Sequence, residues 1–174
     1  MDAGLLILRL AVGLLIAAHG VQKVSFRLGG NGLAGGTDEF RRDGFRGGRL
    51  TAFVAGASQI GSGLFLAAGL LTPLAAMAAI GVMTVAGTVK WPKGLWVQND
   101  GYEYPFVLVV VSAALALTGP GRWSVDHALA VTPWPVWVSV AAIVMGPASG
   151  LLTRVVLHQP ATAGEGTRYA RAAD

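Results

Sequence analysis

Apolar residues in this chain fall into five long runs, and the stretches between them hold most of the charge, a pattern that predicts five membrane-crossing helices. The first run, Gly4 to Val24, is long enough to cross a bilayer, yet it carries Arg9 in its first half and His19, Gln22 and Lys23 near its end. A cation near the bilayer centre costs about 2.5–3.5 kcal/mol on insertion scales, so these groups must reach an interface or meet partners from other helices. The second run, Thr51 to Leu71, holds no charge. Its small residues recur four apart, at Ala57/Gly61 and Gly63/Ala67, as close helix packing in lipid requires, and its buried amide, Gln59, needs a partner across an interface. Thr72-Pro73 turns the chain into the third run, Leu74 to Val89, which ends at Lys90-Trp91-Pro92. The fourth begins at Tyr102-Glu103-Tyr104-Pro105 and is strictly apolar only from Phe106 to Leu117, which puts Glu103 near the membrane boundary. The fifth, about Val136 to Leu157, is entered through Pro133 and Pro135 with Trp134 and Trp137 as interfacial anchors, and Gly146-Pro147 is expected to kink it.

The connections are less regular. From Ser25 to Leu50 glycine is dense enough to predict a turned or flexible loop, relieved only by a short interfacial helix over Asp38 to Phe45. Gly29-Gly30-Asn31-Gly32 lacks the preceding strand and following Gly-Lys-Ser/Thr of a phosphate cradle, so no nucleotide is expected. No basic stretch precedes the first run, and Ala17-Ala18-His19-Gly20 is a poor cleavage site, so the first helix is expected to be retained. The chain divides into a four-helix membrane domain over 1–129, an additional hydrophobic helix over 130–158, and a cytoplasmic tail over 159–174 expected to be disordered.

Composition sharpens this picture. Mean hydropathy is +0.59 and charged residues make up 13%, against roughly 25% in a soluble domain. The absence of cysteine excludes disulfides, thiolate metal sites and dithiol chemistry. Histidines on separate segments offer no two-ligand spacing, so no metal is expected. The isoelectric point near 10 reports topology rather than a nucleic-acid partner. With five spans, Lys23, Arg27, Arg41, Arg42, Arg46, Arg49, Lys90, Lys93, Arg154, Arg168 and Arg171 share one side, while the other receives only Arg122 outside a span. The positive-inside rule then puts the first and third connections and the tail in the cytoplasm.

Antiparallel threading sorts the intramembrane polar residues into two groups. His19, Lys23, Gln59, Tyr102 and Glu103 come to similar depth on the basic side, either as an interhelical network or as a ligand pocket opening to that leaflet. At the opposite end Arg9 snorkels or forms a structural ion pair with Asp126, with Arg122 nearby, readings preferred over a site for a transported anion.

In order and spacing, several short motifs resemble the DoxX family of small bacterial membrane proteins over about Leu5 to Leu129. They are Arg9-Leu10-x-x-Gly13, His19-Gly20-x-x-Lys23, the glycine-rich first connection, the run Gly61 to Pro73, Gly101-Tyr102-Glu103-Tyr104, and Gly119 to Asp126. Where members carry a glutamate early in the second helix, this chain has Gln59. The resemblance implies an all-α membrane protein, a four-helix transmembrane bundle to which the fifth helix is added, in the bacterial inner membrane. The related DoxD branch is a subunit of thiosulfate:quinone oxidoreductase, and other relatives are linked to thiol and superoxide defence complexes. An anchoring or quinone-facing subunit of a redox assembly is therefore expected, with membrane lipid and redox-enzyme subunits as partners and quinone as the cofactor. The alternatives are a stand-alone quinone-linked oxidoreductase and a non-enzymatic carrier of a lipophilic ligand. A quinone would draw hydrogen bonds from His19, Gln59, Tyr102 or Lys23, with Glu103 holding Lys23 or the His19 tautomer.

Overall fold

The structure, a computed structural model, describes residues 1–159. Among them are seven α-helices and no β-strand: α1 Asp2–Val24, α2 Gly32–Arg42, α3 Gly48–Ala68, α4 Thr72–Lys90, α5 Glu103–Thr118, α6 Val125–Ala128 and α7 Val136–Leu157. Four are long and apolar enough to cross a membrane, namely α1, α3, α4 with its 3₁₀ extension to Lys93, and α7; α5 is shorter but equally apolar. The protein is an all-α, multi-pass membrane protein.

Glycine sets the bundle's closest approach. Helices α1 and α3 run antiparallel in the most extensive contact of the fold, and a methyl group added at Gly63 would lie 2.6 Å from the Ala17 backbone nitrogen. Gly13, Gly20 and Gly56 are equally tight along the same seam, so the two backbones nearly touch. Helix α4 follows a turn at Gly69–Leu71, with Pro73 in its first turn as the sequence predicts. It packs on α3, on α5 and above all on α7, and α5 closes back onto α1. The first four spans thus form a ring, and α7 lies outside it along α4. The tail assigned to 159–174 falls, from residue 160 on, outside the described residues.

The first connection departs from expectation. Instead of a loop with a short helix over Asp38 to Phe45, α2 starts at Gly32 and runs through Gly35 and Gly36. Docking overrides propensity here, because Gly32, Gly36 and Thr37 are buried where α2 packs on α3 and α1. A Cβ at Gly36 would run into the Lys23 carbonyl, so glycine is what lets α2 lie this close. Beyond α2 the chain is tied to the end of α7. Arg46 N donates to Leu157 O at 2.8 Å, Gln159 N to Gly44 O at 2.9 Å, and Arg154 Nη1 to Asp43 O at 2.8 Å. Phe45 is buried beneath the Arg154 guanidinium, 4.6 Å from its ring centre.

Candidate functional site

Five residues were expected to share one pocket on the basic side, and the structure separates them. His19 faces α5 and pairs with Tyr104, not Tyr102, at 2.9 Å from Nε2 to the phenol oxygen. Its Nδ1 lies 3.0 Å from Gln22 Oε1, and Gln22 Nε2 donates to Leu28 O at 2.7 Å. That last bond orients the Gln22 amide with its oxygen towards His19. It follows that Nδ1 carries the proton and Nε2 accepts from Tyr104. Tyr102 lies before the first turn of α5 and stacks on Trp91 at 4.8 Å. Glu103 accepts from Val97 N at 2.9 Å and so braces the third connection. Lys23 binds Glu39 at 2.8 Å and lies over the Phe40 ring. The depth of the group follows the threading, but its members point to different neighbours, because each residue turns the side-chain direction by about 100°.

Only Lys23 and Gln59 of that group border a chamber of about 680 Å³, while Tyr102 lines a separate pocket of about 600 Å³ between α4, α5 and α7. The chamber lies in the angle between α3 and α7 against one face of α4. Val54, Ala55, Ser58 and Gln59 line it from α3; Ala78, Gly81, Val82, Val85, Ala86 and Val89 from α4; Ser149, Gly150 and Thr153 from α7. Helix α2 and the tie to α7 roof it with Phe40 and Phe45. Leu50, Val54 and Thr153 remain exposed at its side, between two helices that both flank α4, so the chamber opens laterally towards lipid. Its wall is mostly apolar, interrupted by the hydroxyl residues Thr51, Ser58, Ser149 and Thr153, and carries stronger polar groups at two levels. Near the roof stand Lys23, Glu39, Arg42, Asp43, Lys90, Lys93 and Asp100. Deeper is Gln59, which is 4% exposed and whose Oε1 has no hydrogen-bond partner among the described residues. An enclosed amide oxygen without a donor costs about 1–3 kcal/mol, and as placed it is closed off from the chamber, so a ligand donor meets it only once the amide turns towards the cavity.

Sequence reasoning missed most of this wall. The signal was present in α4, where Ala78, Val82, Val85, Ala86 and Val89 recur at helical spacing. Glu39 was missed as the partner of Lys23 because α2 was not expected to reach it.

The opposite end is organised by Asp126. Its carboxylate, 0% exposed, accepts from Leu71 N at 2.7 Å, Thr72 N at 2.9 Å, Thr72 Oγ1 at 2.7 Å and Trp134 Nε1 at 3.0 Å. It thereby caps α4 from a distant part of the chain. Burial pushes this carboxyl up, but the hydrogen bonds from Thr72, Trp134 and Leu71 outweigh it and hold the group below the usual carboxylate range. The expected ion pair with Arg9 is not made: among the described residues, no Arg9 nitrogen comes within salt-bridge distance of an acid. Snorkelling is not seen either, since Arg9 is also 0% exposed. Its guanidinium donates to Trp123 O at 2.5 Å and lies against Gly69, whose φ of 64° and lack of a side chain make room for it. Arg9 Nε and Nη1 have no partner among the described residues. Arg122 binds Asp2 at 3.1 Å. The four donors to Asp126 use its oxygens, so Arg9 feels the carboxylate through space rather than through a shared hydrogen bond.

No group of three His, Asp or Glu residues is placed to hold a metal among the described residues. No curated protein and no solved structure matches the chain. A family model does: that of DoxX, over residues 4–91, which takes in α1 to α4 and with them the α3 and α4 walls of the chamber. The chain belongs to the DoxX family.

Proposed function

We propose that the protein is a quinone-facing membrane subunit of a redox assembly, and that the chamber between α3, α4 and α7 holds the quinone head group. The carrying observation is the enclosed Gln59 amide bordering a mostly apolar chamber that opens towards lipid. A primary amide both donates and accepts, so Gln59 serves a quinone carbonyl and a quinol hydroxyl alike. Val54 and Ala55 of α3 and Ala78 of α4 cover the ring. Zero cysteine leaves the electrons to a partner subunit, and exposure of the basic face to soluble enzymes gives that partner its docking side.

Gln59→Leu is the test. Removing a donor–acceptor that a ligand uses weakens binding by about 1–3 kcal/mol, while replacing an unsatisfied amide with an apolar group of similar size leaves stability unchanged or higher. Quinone co-purified in gentle detergent should therefore fall about tenfold with no drop in melting temperature. Wild type without quinone, or equal retention by the variant, would overturn the reading. Gentle pull-down followed by mass spectrometry should recover soluble redox enzymes with the wild-type protein.

The orientation belongs to the same proposal, in a bacterial inner membrane with the basic end in the cytoplasm. Cysteines placed at the exposed positions Asp38 and Trp96 should resist an impermeant thiol reagent in intact cells, and one at Trp123, also exposed, should label. The reverse pattern would invert the topology.

A further inference from the structure

The chamber mouth carries charge for which a neutral quinone ring has no use. At the α4 rim, Lys90 and Lys93 both close on Asp100, one through each carboxylate oxygen. Asp100 is itself held in the left-handed region at φ 57° on an exposed connection. The two lysines flank Trp91 at the end of a spanning helix, the level at which lipid phosphates lie. Hydrogen bonds from these lysines hold the Asp100 carboxyl down at about 2, so it stays charged as their partner at neutral pH. On the α2 rim, Lys23 is matched by Glu39 and Arg42 stands beside Asp43. Four cations therefore face three acids, Glu39, Asp43 and Asp100, and the mouth keeps a positive balance. Burial and the nearby Glu39 push the Asp43 carboxyl up. Directly beneath the lysines, Val82, Val85 and Val89 form a continuous apolar strip leading towards Gln59.

We propose that this mouth binds an anionic phospholipid, whose phosphate takes the place of the Asp100 carboxylate between Lys90 and Lys93 while one acyl chain lies along the Val82–Val89 strip. The proposal rests on the chamber admitting a lipophilic ligand, as argued above, but not on that ligand being a quinone. Both oxygens of Asp100 are used, each by one ammonium, and a phosphate offers the same two contacts. Exchange leaves no lysine unpaired, because the phosphate replaces one anion with another and Asp100 swings into water. A zwitterionic lipid would bring a quaternary ammonium to a mouth that is already positive, so the site discriminates by headgroup charge.

Native mass spectrometry of the full chain, titrated with phosphatidylglycerol or phosphatidylcholine, reads the preference directly. Wild type should retain phosphatidylglycerol about tenfold more tightly, and Lys90→Gln with Lys93→Gln should abolish the difference. Asp100→Asn should strengthen phosphatidylglycerol binding by removing the resident competitor, whereas a merely structural ion cluster would weaken or leave it. Val85→Trp should displace the acyl chain with both lysines intact. Equal retention of the two lipids, weaker or unchanged binding by Asp100→Asn, or unchanged retention by Val85→Trp would each overturn the proposal. So would phosphatidylglycerol binding abolished by equimolar inorganic phosphate, which would mark a free-phosphate site. Quinone content of the same samples separates the two readings. Lost lipid preference with quinone retained sinks only this inference, and lipid preference without quinone sinks only the functional one.

Discussion

Replacing Asp126 with alanine is expected to lower stability by about 3–5 kcal/mol, the cost of breaking a buried polar cluster on one side. The variant would leave Leu71 N, Thr72 N and Trp134 Nε1 without their acceptor, and the buried Arg9 guanidinium without the nearby Asp126 charge that favours its protonated form. Asp126→Asn keeps the shape but turns an NH₂ towards donors, so most of the loss should remain. Chemical unfolding in detergent measures both. Because Arg9 and Asp126 share no hydrogen bond, a double-mutant cycle with Arg9→Met is informative. Coupling of about 1 kcal/mol or more would show that the charges stabilise each other through space. Coupling near zero would reduce Asp126 to a cap on α4 and leave Arg9 held by the Trp123 carbonyl alone.

Gly63→Ala should be nearly as damaging. Its methyl group would press on the Ala17 backbone, which cannot rotate away as a side chain could, so α1 and α3 must separate along their length. Overpacking of this kind costs about 1–3 kcal/mol, occasionally more. The control lies two residues away in the same helix. A Cβ at Gly61 meets nothing within 4 Å, so Gly61→Ala should be neutral or stabilise by up to about 1 kcal/mol through helix propensity. Equal effects of the two substitutions on melting would refute the seam as the fold's tightest contact.

That pair also shows what the sequence made legible. The four-residue spacing of small residues announced close packing at both Ala57/Gly61 and Gly63/Ala67, but only the second faces α1. Spacing fixes which residues share a face, whereas the partner of that face depends on how the helices are arranged. Span boundaries were legible because hydropathy and proline act locally, as at Thr72-Pro73. The depth of His19 and Gln59 was also legible, since it follows from counting residues along antiparallel helices. Their partners were not. His19 turns to Tyr104 and Gln59 borders the chamber, and a chamber is defined by walls from α3, α4 and α7 together. Helix α2 was hidden for a related reason: glycine weakens a helix in isolation, and only docking on α1 and α3 reverses the balance at Gly36.

The tie between the first connection and the end of α7 has a consequence for biogenesis. Arg46 hydrogen-bonds to a carbonyl 110 residues further along the chain, at Val156. At roughly 5–20 residues per second, synthesis needs about 5–20 s to supply that partner after Arg46 has left the ribosome. During this interval α3 and α4 have been made, but the third wall and the roof anchor of the chamber do not exist. The groove of α3 and α4 therefore stands open on one side until α7 is made, and the chamber becomes a closed-sided space only when the end of the last helix meets Arg46.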